Sequence, residues 1–181
     1  MVRINPNYRS LKSGETIRLL QYLKSIHQTG EFLRKNFINY TVFFESEHVR
    51  VAVKITKTNY MHLCGLFYER GARKFFDDAL ENKLSLKSIF IKKDGTTFWK
   101  LSVLGMVPQL FTEKLELTEH GNLVLLEFDQ AIRTSSHRYE FALKNEGLVS
   151  YPVSLINLRI ARHFPNGAKI IKIYSINKFN H

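Results

Sequence analysis

Apolar and polar positions follow two different rhythms along this chain. From Ser13, read as a helix N-cap with Glu15 in the first turn, Ile17, Leu19, Leu20, Leu23 and Ile26 recur at helical spacing while Arg18, Gln21 and Lys24 face away. Gly30 either ends this segment or the chain continues through Phe32 and Leu33, so one or two helices are predicted, ending by about Asn36. The period then drops to two: Val49, Val51, Val53 and Ile55 alternate with Arg50, Ala52, Lys54 and Thr56. Residues 38–46 and 48–56 therefore read as a hairpin with its turn near Ser46-Glu47.

Helical spacing returns at residues 71–80, with Phe75, Phe76, Ala79 and Leu80 inward. It returns again over 96–111, where Gly105 and Pro108 weaken it. From about Lys114 the chain is strand-like: 115–118, 123–128, 138–143, 148–155 and 169–176 are candidate strands. Gly121-Asn122, Ser135-Ser136, Asn145-Glu146-Gly147 and Pro165-Asn166-Gly167 supply turn chemistry between them. Residues 155–163 leave a short helix open as the alternative. The order predicts an α+β fold, with N-terminal helices and a hairpin followed by an antiparallel sheet, rather than alternating βαβ units. No repeat or linker cuts the chain, so a helical part at 1–36 and an α+β part at 37–181 are expected in one unit.

Composition fits that expectation. Of 181 residues, 44% are hydrophobic, with 14 Phe and 8 Tyr, enough for a core, and 9 Gly with 4 Pro exclude collagen-like or low-complexity readings. The single cysteine, Cys64, excludes an intramolecular disulfide and points to a reducing compartment or to redox indifference. The N-terminus has no apolar run of signal-peptide length, and no window approaches the ~18 uncharged apolar residues of a spanning helix. A cytoplasmic protein without a membrane partner is expected.

Charge changes the picture. Lys and Arg number 27 against 16 Asp and Glu, for a net +11. The excess lies in residues 1–60 and 121–181 rather than in a polybasic tail. Such a field attracts polyanions, of which nucleic acid is the commonest, although charge alone never fixes a partner.

Several chemistries are absent from the sequence. There is no Walker loop, dinucleotide fingerprint, nucleophile elbow or zinc spacing among the seven histidines. No metal and no cofactor is expected, and the acidic residues show no carboxylate cluster of the metal-dependent nuclease kind. A phosphodiester enzyme of this composition would work without a metal, and RNA permits that. The 2′-hydroxyl is a tethered nucleophile, so the protein must move protons and neutralise the phosphorane. His suits the first task, and Lys, Arg, Ser and Thr the second.

The most distinctive string is Asn59-Tyr60-Met61-His62-Leu63-Cys64-Gly65-Leu66, which places His62 among apolar residues just after a strand. An isolated histidine in such a setting more often caps a turn or satisfies a core hydrogen bond. In strands, Tyr40, Phe43, Phe44, Tyr139, Phe141 and Tyr151 (with Tyr60 nearby) are core material in the ordinary case, and base-stacking groups if exposed. Arg50, Lys54 and Thr56 line the polar side of one strand, where Arg50 and Lys54 are candidate phosphate contacts. Arg133, Thr134, His137 and Arg138 form a basic, hydroxyl-rich stretch read as an inter-strand loop, equally a solvated loop or a phosphate-binding group. Trp99 reads as core filling.

The string Tyr60–Leu66 resembles the aromatic-x-His-Leu-x-Gly motif of a phage-associated nuclease family. That family lies in the superfamily joining barnase, EndoU, colicin-type tRNases and RelE. The likeness continues through Ala72-Arg73-Lys74-Phe75-Phe76, Leu84-Ser85-Leu86, Asp94-Gly95-Thr96-Thr97 with Lys100-Leu101, and Tyr151-Pro152-Val153-Ser154-Leu155. It implies a curved antiparallel sheet carrying the catalytic groups on one face, and metal-independent endoribonuclease activity leaving a cyclic phosphate. It further implies His62 as general base or acid and Ser154 as a hydrogen-bond donor to a phosphate oxygen, with Lys100, at the motif's basic position, as either an electrostatic group or a plain surface lysine. Tyr151 joins the expected RNA-binding residues. No second catalytic histidine is evident. The expected setting is a phage, mobile element or toxin, with tRNA, rRNA or mRNA as substrate and an antitoxin or immunity protein as a further partner. The rival expectation is a catalytically inactive module that binds nucleic acid or a partner protein, such as an antagonist of host defence. A ligand-sequestering protein is the third.

Overall fold

In the computed structural model, residues 5–112, 114–123, 126–134, 136, 138–159 and 167–177 are described. In chain order the first elements are β1 (Tyr8–Ser10), α1 (Ser13–Leu20), α2 (Leu23–Asn36), β2 (Tyr40–Glu45) and β3 (Arg50–Val53). Then come α3 (Lys57–Leu63), β4 (Leu66–Tyr68), α4 (Ala72–Leu80), β5 (Ile89–Lys92) and α5 (Thr96–Leu104). The strand-rich part is β6 (Leu115–Leu123), β7 (Leu126–Thr134), β8 (Tyr139–Glu146), β9 (Val149–Asn157), β10 (Ala168–Lys169) and β11 (Lys172–Asn177).

The local signals place most of these elements. The α1 helix is capped one residue before the expected position, by Lys12, whose amide donates to the Glu15 carboxylate at 2.8 Å. The β2–β3 turn is closed by Ser46, whose amide and hydroxyl both donate to the Val49 carbonyl. Gly105 and Pro108 end α5 and leave a 3₁₀ turn at Val107–Phe111.

An eight-stranded sheet runs β10-β6-β7-β8-β9-β3-β2-β11. It is antiparallel except where β3 meets β9 in parallel, with Val53 opposite Ser150, so the sheet is mixed rather than purely antiparallel. The sheet is strongly curled, and its two ends are joined by the chain itself. The Ile170 amide donates to the Leu115 carbonyl of β6, and the next amide, Ile171, donates to the Glu45 carbonyl of β2. A separate three-stranded sheet, β1-β5-β4, was not anticipated. It recruits Tyr8–Ser10 from the segment read as helical.

Strand alternation gives the large sheet one apolar face. Val42, Phe44, Val51, Val53, Leu117, Ile132, Phe141 and Leu155 point to the helices and share a core with Leu19, Ile26, Leu33, Phe75, Phe76 and Leu104. The other face carries Arg50, Ala52, Ala131, Arg133, Glu140, Ala142 and Ser154. Two expectations change here. Gly121-Asn122 lies inside β6 rather than separating strands, because β6 and β7 pair along their whole length. Trp99 is 47% exposed rather than core, since α5 turns Phe98 and Leu101 inward.

Candidate active site

The short helix α3 is held at both ends. At its start the Thr56 amide donates to the Asn59 side chain at 2.8 Å. Tyr60, Met61 and Leu63 then turn into the core with Cys64, and the Tyr60 hydroxyl donates to the Ile26 carbonyl of α2. Four apolar neighbours fix the helix orientation and leave His62, in its last turn, at the surface. The histidine is thus helical rather than in the strand-to-helix connection expected.

Gly65 ends this segment at φ +67°, a left-handed conformation that side chains rarely adopt. A Cβ there would stand 3.2 Å from Thr97 Cα and 3.0 Å from Lys100 Cδ. The glycine therefore lets α5 close onto α3. The Thr97 hydroxyl donates to the Gly65 carbonyl at 2.6 Å and accepts the Lys92 amide at 2.9 Å. Lys100, one turn further along α5, is buried and donates from Nζ to the His62 carbonyl at 3.4 Å. Before α5, the Asp94 carboxylate accepts the amide and hydroxyl of Thr96 at 2.9 and 2.7 Å.

Two segments that sequence reading kept apart, Tyr60–Leu66 and Lys92–Lys100, thus form one cluster, in which the Lys100 ammonium sits on the His62 backbone carbonyl and the Lys92 and Lys100 charges act on the His62 ring. Its electrostatics follow from crowding. Partial burial, then the charges of Lys100 and Lys92, hold the His62 imidazole below its ordinary pKa. Burial, then Lys92, brings the Lys100 ammonium down to about 8, against the opposite pulls of Cys64 and Asp94. Burial works to raise the Asp94 carboxyl, but the two Thr96 hydrogen bonds and the lysines outweigh it and hold it low. A neutral imidazole beside a cation can accept a proton from a hydroxyl and hold an anion next to it.

The remaining predicted residues lie elsewhere. Ser154 is 6% exposed and opposite Ala142, on the sheet face away from Leu155, whereas α3 and α5 pack on the Leu155 face. The sheet stands between Ser154 and His62, so the fold does not join them. Arg50, Lys54 and Tyr151 share that other face, with Arg50 exposed and the other two half-buried. Arg133 and Thr134 are buried in β7 rather than in a loop. Arg133 donates twice to Glu116, at 2.8 and 2.6 Å, and the Thr134 hydroxyl accepts the Arg138 amide at 3.3 Å. Arg138 is exposed. His137 lies outside the described residues.

Several groups were missed. Thr97, which bonds the Gly65 carbonyl and the Lys92 amide, and Lys92, whose charge acts on the His62 ring, are brought near His62 only by the tertiary fold, though Thr97 stood inside a quoted motif. Glu140, opposite Arg133, is wholly buried, and neither carboxylate oxygen has a hydrogen-bond partner. Burial raises its carboxyl to about 7 although Arg133 pulls it down. Its alternating position in β8 could have flagged it as a charge on a buried strand.

Among the described residues, no three His, Cys, Asp or Glu side chains gather into a group able to hold a metal ion. No helix among them is long and apolar enough to cross a membrane. The family model described as phage-Barnase-EndoU-ColicinE5/D-RelE like nuclease4 matches residues 25–180. No curated protein and no solved structure gives a match.

Proposed function

This chain belongs to the phage-Barnase-EndoU-ColicinE5/D-RelE like nuclease4 family, and from that premise we propose that it is an endoribonuclease that needs no metal ion. The supporting observation is the exposed His62 with the buried Lys100 ammonium behind it. The imidazole takes the proton of a 2′-hydroxyl as its oxygen bonds to the adjacent phosphorus. The bond from phosphorus to the 5′-oxygen breaks, that oxygen takes a proton from solvent water, and a cyclic phosphate remains. Lys100 and Lys92 supply positive charge while the phosphorane carries its extra negative charge. Thr96 and Asp94 hold the turn that brings Lys92 and α5 together. Ser154, Arg133, Thr134 and Arg138 take no part in this step.

The reading extends to a cytoplasmic role in a phage, mobile-element or toxin setting, with an antitoxin or immunity protein as counterpart. Its test is incubation of the purified protein with total tRNA and ribosomal RNA in EDTA, followed by sequencing of fragment ends. Cleavage that persists in EDTA, leaves cyclic phosphates and disappears in His62→Ala supports it. A requirement for Mg²⁺ rejects the mechanism. Tight, salt-sensitive binding without any turnover assigns the chain to the inactive binding module instead.

A further inference from the structure

A second cationic surface lies on the sheet face opposite the helices. Phe43 of β2 and Tyr174 of β11 are register partners, and their rings stack with centroids 4.9 Å apart and planes 8° from parallel. The Arg50 guanidinium stands 5.6 Å from the Phe43 ring centre and donates to the Tyr174 hydroxyl at 3.4 Å. The Lys172 ammonium stands 5.0 Å from the Tyr174 ring centre. Both cations are exposed and both rings half-buried. Lys54 and Tyr151 continue the same face on the neighbouring strands, where Val53 meets Ser150. Glu45 sits between Arg50 and Lys172 in the register, yet among the described residues Arg50, Lys54 and Lys172 form no ion pair. Beyond the outer edge of β11, Tyr174 also lines an open cleft of about 330 Å³ with Lys35, Asn36, Tyr40, Phe111 and Ser175.

A folded protein gains little by keeping unpaired cations over half-exposed rings, and the arrangement fits a polymer that alternates flat apolar faces with negative charges. Duplexes hide their base faces, so the matching form is unpaired. We propose that this face binds an unpaired stretch of polynucleotide, its bases on the Phe43–Tyr174 pair and in the adjoining cleft, its phosphates on Arg50, Lys172 and Lys54. The choice of polymer rests on the nuclease reading above, but the surface is separate from His62.

The test uses the wild-type chain and a fluorescein-labelled 2′-O-methyl oligoribonucleotide, which lacks the nucleophile and stays intact. Anisotropy should show the single strand binding more tightly than the same sequence as a duplex. Tyr174→Ala and Phe43→Ala should each weaken it about 5- to 100-fold. Arg50→Gln with Lys172→Gln, both exposed and so tolerated by folding, should lower the salt slope by about two phosphates. Equal affinity for duplex and single strand, or unchanged binding and salt slope in the double glutamine variant, overturns the proposal. If that variant binds normally while wild-type protein cleaves RNA, only this inference fails. If binding behaves as expected and no RNA is cut, only the catalytic reading fails.

Discussion

Thr97 and Gly65 are joined by a 2.6 Å hydrogen bond between positions 32 residues apart, and the same hydroxyl accepts the Lys92 amide. One small side chain therefore fastens the end of α3 to β5 and α5, and so holds His62 against Lys100.

Gly65→Ala should be among the most damaging single changes in the chain. The new methyl meets backbone at Thr97 and has to adopt a left-handed conformation, at a cost of about 1–3 kcal/mol. Thr97→Val leaves the buried Gly65 carbonyl without its donor, a loss of ~1–3 kcal/mol. Urea unfolding measures both, and RNA cleavage should fall even where enough stability remains.

The pH dependence of cleavage should be bell-shaped. Its acid limb reports His62 losing its proton below the ordinary histidine value, and its alkaline limb reports Lys100 losing its own near about 8. Lys100→Arg keeps the charge at high pH and should push the alkaline limb upward. His62→Ala should cost a factor of about 10² to 10⁴ in rate. Single-turnover rates from pH 5 to 10 decide the matter.

Glu140 should make the protein more stable in mild acid than in mild alkali. Its folded-state pKa, about 7, lies above the ordinary glutamate value, so the folded chain holds that proton more tightly than the unfolded one. The associated stability is complete below about 4.5 and is lost as the pH rises through about 7. Glu140→Gln should remove this slope and raise stability at pH 8 by about 1–3 kcal/mol. Urea midpoints at pH 5 and pH 8, for both proteins, supply the comparison.

The Cys64 thiol is fully buried, and burial drives its pKa far above the usual thiol range. It should resist iodoacetamide in the native protein and react promptly in urea, as followed by intact mass. Fast native labelling would mean that the segment joining α3 to β4 opens readily.

Local rhythm made much of the fold legible before any coordinates. The helices ending at Asn36, the hairpin around Ser46 and the helix over Ala72–Leu80 are set by near neighbours in sequence. The β1-β5-β4 sheet was hidden because a three-residue strand has too few positions to show a period. Arg133 looked like a loop residue because its partner, Glu116, is one strand away. In the site, His62 and Lys100 were readable from their motifs, and their contact was not. Ser154 shows why. A register shift between Ala142 and Leu143 leaves an extra residue in β9, and one residue of slip reverses which side of a sheet a side chain faces. No periodicity in the sequence announces that slip, and the expectation for Ser154 came from a motif, which carries no information on the side of the sheet; next to the core-facing Leu155, Ser154 stands across the sheet from His62.

The segment Ala168–Asn177 serves both margins of the large sheet, pairing β6 with its first residues and β2 with its last. Loss of this one ribbon would bare two strands together, each presenting free amides and carbonyls to any passing chain. Its ten residues thus guard against self-association, and a shortened protein should come out of expression as aggregates well before its helices have melted.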